Sequence, residues 1–76
     1  MVEECISAET AVLLRFFDLT IEASALVFDI NEDIAGFAMM AALVAAEKLG
    51  ISDAAAYHMR DSARRELKRR SADPRR

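Results

Sequence analysis

One histidine, His58, one cysteine, Cys5, and the carboxylates Asp18 and Glu22 four residues apart are the side chains with which this chain could do chemistry. A histidine can act as a general base or bind a metal, a thiolate can attack as a nucleophile, and paired acids can donate and accept a proton. His58 and Cys5 lack partners, and a bundle of this size leaves little room for a substrate cavity around the paired acids. His58 has no cysteine or second histidine at ligand spacing, with only Asp61 three residues along, so we expect a solvated or interface histidine rather than a metal ligand. No basic residue stands near Cys5 in sequence to stabilise a thiolate. Ser7, Ser24, Ser52, Ser62 and Ser71 lie outside any nucleophile-elbow context, and Gly36 and Gly50 are too isolated to form a phosphate loop. We therefore expect no enzyme, no cofactor and no metal.

The charged residues point to recognition instead. Asp18, Glu22 and Asp29 form an acidic ridge at i, i+4 and i+11, while Arg60, Arg64 and Lys68 form a basic ridge at i, i+4 and i+8. Asp18 and Glu22 repel each other at this spacing, a small local penalty that a basic partner surface would offset. The ridges also reflect a division along the chain. The first 50 residues hold nine acids and two bases, the remainder four acids and eight bases, and the whole carries −3.

Three helices must position these ridges, over residues 8–29, 32–49 and 53–70. Ser7 reads as the cap of the first, with Glu9 in its opening turn. Arg15, Asp18, Glu22 and Asp29 occupy a wedge of about 60° on it, and nearly all the rest of its circumference is apolar. Asp29 with Glu32, or Asn31 alone, offers a cap for the second helix, although no glycine or proline forces a break there. Residues 34–46 contain no polar side chain, with Phe37, Met40, Leu43 and Val44 on one side and mostly alanine on the other. An alanine side lets another helix come close. Lys48, Gly50 and Ile51 read as a Schellman-type close, and Ser52 as the cap of the third helix. The apolar seam of that helix is thin: Ala56, Met59, Ala63 and Leu67. Residues 71–76 lack periodicity and read as a flexible basic tail to a single helical domain of residues 1–70.

Composition then sets a problem of surface. Hydrophobic residues make up 54% of 76, mean hydropathy is +0.12 and the net charge is only −3, a balance that argues against a disordered chain. Of the 26 apolar side chains larger than alanine, 22 fall in the first 50 residues. Two helices apolar on nearly every side cannot cover each other, and the third has too little to cover both. We expect an all-α bundle that forms a homodimer, with Phe17, Ile21, Phe28, Phe37, Met40, Leu43 and Val44 in the dimer core. The 13-residue stretch 34–46 is shorter than the ~20 residues that span a bilayer, so no membrane is expected. A lone cysteine and an acidic Met-Val-Glu-Glu start lead us to expect a cytoplasmic protein.

The stretch from Ala46 through Gly50, Ile51 and Ser52 to Ala56 and Met59 resembles a helix-turn-helix over about a fifth of the chain. That resemblance implies DNA binding, with the basic third helix on phosphates. The sequence departs from the pattern where bases would be read. Asp53, Ala54 and Tyr57 would enter the groove in place of the usual Arg, Lys, Asn or Gln. The expectation we set above it is a non-enzymatic module that binds and inhibits a larger macromolecule. Anti-activators and phage-encoded inhibitors of host proteins work in this manner.

Overall fold

The computed structural model describes residues 7–72, which form a three-helix bundle: α1 (Ala8–Val27), α2 (Glu32–Leu49) and α3 (Asp53–Ala72). Side-chain caps set the three helix starts. Ser7 Oγ accepts from the Thr10 amide at 3.1 Å, Asn31 Oδ1 from that of Ile34 at 3.1 Å, and Ser52 Oγ from that of Ala55 at 3.1 Å. Each satisfies one of the amides that a helix start leaves unpaired. The cap of α2 is thus Asn31 rather than Asp29. Gly50 closes α2 with φ 79°, and the Ile51 amide donates to the Ala46 carbonyl at 2.9 Å, the expected close.

Two ends differ from the sequence expectation. α1 stops at Val27, because the amides of Ile30 and Asn31 both turn back onto the Val27 carbonyl, at 2.9 and 2.8 Å. α3 runs through Ala72, so residues 71 and 72 are helical rather than tail. The i, i+3 and i, i+4 pairing of Glu66 with Arg69 and Arg70 supports this last stretch. Residues 73–76 lie outside the described residues, as does Cys5.

The core is built from large groups on α1 set against small ones on α2. Phe17 and Ile21 pack with Met39, Ala42, Ala45, Ala46 and Ala56, and half-buried Leu13, Leu43, Leu49 and Ile51 close over them. The alanine side of α2 faces inward because small side chains let the α1 ridge approach. At one end of this contact the fully buried Ser24 hydroxyl donates to the Ala35 carbonyl at 2.9 Å, a hydrogen bond from α1 to α2. α3 leans mainly on α1 and touches α2 less. The molecule is elongated, 48 × 30 × 19 Å with a radius of gyration of 14.4 Å, against about 11 Å for a globular chain of this length. The described residues leave much of the outer surface of α1 and α2 uncovered.

Candidate interaction surfaces

The outward side of α2 carries the large residues opposite its alanines. Phe37, Met40 and Val44 are 72%, 63% and 61% exposed, at i, i+3 and i+7, with Ile34 beside them. Exposed Asp33 and Glu47 border the patch at its two ends. Solvent-facing helix surfaces are ordinarily polar, and each large side chain left in water forgoes roughly 1.5 to 3 kcal/mol. Between this face and α3 runs an open groove of about 440 Å³, lined by Phe37, Met40 and Gly36 on one wall and Tyr57 and Arg60 on the other. α1 carries a second outward stripe, Val12, Phe16, Leu19 and Leu26, all exposed.

The seven residues expected in a dimer core separate into three groups. Phe17 and Ile21 belong to the protomer's own interior, and Leu43 is half-buried against it. Phe28 is half-buried beneath α3. Only Phe37, Met40 and Val44 face outward. α1 is apolar on both sides, so periodicity alone could not say which side faces the protomer's own interior.

Phe28 anchors a charged cluster. The Arg64 guanidinium lies 3.8 Å from its ring centroid and that of Arg60 lies 4.7 Å away, with Tyr57 5.3 Å from Arg60. Arg64 Nη2 also reaches Asp29 Oδ1 at 3.2 Å, and Arg60 Nη2 reaches Asp61 Oδ1 at 3.4 Å. Stacking lets a planar guanidinium bury its flat faces while its edge stays hydrogen-bonded. α1 has no basic residue in its own last turn, and these arginines bring positive charge to the negative end of its dipole. The Nε atoms of both arginines are buried without a protein partner.

The acidic and basic ridges therefore meet within one chain, at Asp29 and Arg64. Asp18 and Glu22 stay exposed on α1, and Lys68 on α3. The buried seam of α3 turns toward the arginines as well. Ala56 is buried and Ala63 and Leu67 half-buried as expected, but Met59 is 44% exposed and Arg60 packs in its place. This weakens the phosphate-binding expectation, since Arg60 and Arg64 face α1 instead of a groove. Arg75 and Arg76 lie outside the described residues.

His58 is exposed on α3, and no group of three or more His, Cys, Asp or Glu side chains among the described residues could hold a metal. The cleft of about 630 Å³ at the α2–α3 turn presents Glu47 and Asp53, and its one hydroxyl, Ser52 Oγ, already accepts the cap hydrogen bond. No helix among the described residues is long and apolar enough to cross a membrane. Comparison with protein-family models, curated proteins and solved structures finds no match for the chain.

Proposed function

We propose that this chain is a non-enzymatic interaction module that docks on a larger protein through the outward face of α2 and inhibits it by occupying a surface it needs. An anti-activator or a phage-type inhibitor acts in this mode. The observation that carries the reading is the exposed set Phe37, Met40 and Val44 on a helix whose other side is locked into the core. Burying these three would supply several kcal/mol toward binding, and the rigid helix under them limits the ordering penalty. Asp33 and Glu47 at the ends of the patch suit a partner whose apolar surface has a basic rim. The single cysteine fits work in a reducing compartment, and we take the cytoplasm as the site of action.

The test is capture from nuclease-treated lysate of the native host, comparing the wild-type chain with a Phe37→Glu, Val44→Glu double variant. Both positions are exposed, so the variant keeps the core. The reading expects a stoichiometric protein held by the wild type and lost from the variant. Identical capture by both, or retention only of nucleic acid when nuclease is omitted, would refute it and in the second case favour the DNA-binding alternative.

A further inference from the structure

We propose that the outward stripe of α1 is a self-association surface, on which two copies of the chain pair α1 against α1 in antiparallel fashion about a two-fold axis. Val12, Leu19 and Leu26 recur every seventh residue, and Phe16 and Ala23 follow the first two by four. This is the a/d spacing of a coiled coil. Val12 is 67% exposed, Leu26 53%, Leu19 50% and Phe16 44%, and Ala23 is exposed between them. The core uses the opposite side of the helix, through Phe17, Ile21 and Ser24. The stripe is thus a second seam that the described residues leave without a partner.

The spacing selects a second copy and one register. Laid in full overlap on an antiparallel copy, α1 brings residue 8 opposite residue 27. Phe16 then meets Leu19 of the other copy and Val12 meets Ala23, each twice by symmetry. Leu26 covers the aliphatic stem of Glu9. The flanking charges agree with this register. Arg15 and Glu22 occupy the same edge of the seam one heptad apart, and in the antiparallel pair Arg15 of each copy faces Glu22 of the other. A slip of one heptad would set Glu22 against its own counterpart, and a parallel pair would place like helix ends together. This assignment does not depend on the role given to α2.

Sedimentation of the full chain in reducing buffer over about 5 to 200 μM tests it, a range suited to micromolar association. The expected mass rises toward twice the 8.4 kDa of one chain. Leu19→Glu returns it to one chain mass with the helical circular dichroism unchanged. Arg15→Glu weakens association about tenfold, and Arg15→Glu combined with Glu22→Arg restores it. The charge variants alter only exposed positions and so decide the matter even where Leu19→Glu perturbs folding. A single-chain mass at every concentration, a dimer indifferent to Leu19→Glu, or a charge reversal that the double reversal does not rescue would overturn the assignment.

Discussion

Arg64 lies with its guanidinium 3.8 Å from the centroid of the Phe28 ring, and the same group bonds the neighbouring Asp29 at 3.2 Å. One side chain of α3 thereby holds the end of α1 by stacking and by charge. A double-mutant cycle with Phe28→Leu and Arg64→Ala, read by urea unfolding, is expected to show a coupling of about 0.5 to 2 kcal/mol. Additive effects would mean that the stack contributes nothing.

The Ser24 hydroxyl is the buried polar link between α1 and α2. Ser24→Ala keeps the volume nearly constant and should destabilise by about 0.5 to 1.5 kcal/mol. Ser24→Leu forces a larger group between close-packed backbones and should lower stability by about 1 to 3 kcal/mol or more. Thermal unfolding of the two variants checks the order, and a Leu variant as stable as the Ala one would show that the helices are not in close contact there.

The two glycines should respond to alanine with opposite signs. Gly36 sits inside α2 with open space for 4 Å around the position a Cβ would take, so Gly36→Ala should stabilise by about 0.5 to 1 kcal/mol. Gly50 holds φ 79° at the close of α2, a conformation that a Cβ strains, so Gly50→Ala should destabilise by about 1 kcal/mol. A fall in Tm for Gly36→Ala would contradict the first assignment, and a rise for Gly50→Ala the second.

A hydrogen bond from Arg69, with its charge and that of Arg70, holds the Glu66 carboxyl below its ordinary value of 4.5. Because the folded value is the lower one, the pair supports α3 above pH 4.5 and that support is lost as pH falls through the folded value. The wild type should therefore exceed Glu66→Gln slightly in Tm above pH 4.5 and lose that advantage progressively as the pH falls below it. An unchanging difference across the range would show that the pair is unconnected with stability.

The three helix starts and the close of α2 were readable from sequence because they depend on neighbours: a Ser or Asn side chain reaching an amide three residues on, a glycine adopting positive φ. The alanine side of α2 was readable too, since only small groups admit a close helix. The inward side of α1 was not. Phe16 and Phe17 are adjacent and identical in type, yet one is 44% exposed and the other 2%, a choice made by tertiary packing rather than by local pattern. Arg60 and Arg64 looked like a solvated ridge because their partner, Phe28, lies far away in the chain and a charged residue's stacking leaves no periodic signal. Asp18 and Glu22 were expected on an exposed face and lie on one.

Photo-crosslinking reads out whether a larger protein docks on the outward face of α2. A benzoylphenylalanine placed at Phe37, irradiated in nuclease-treated host lysate, is expected to give one dominant protein adduct. The same probe at His58, exposed on α3, is expected to give none. Equal adducts from both positions, or none from position 37 while the chain remains folded, would contradict the claim.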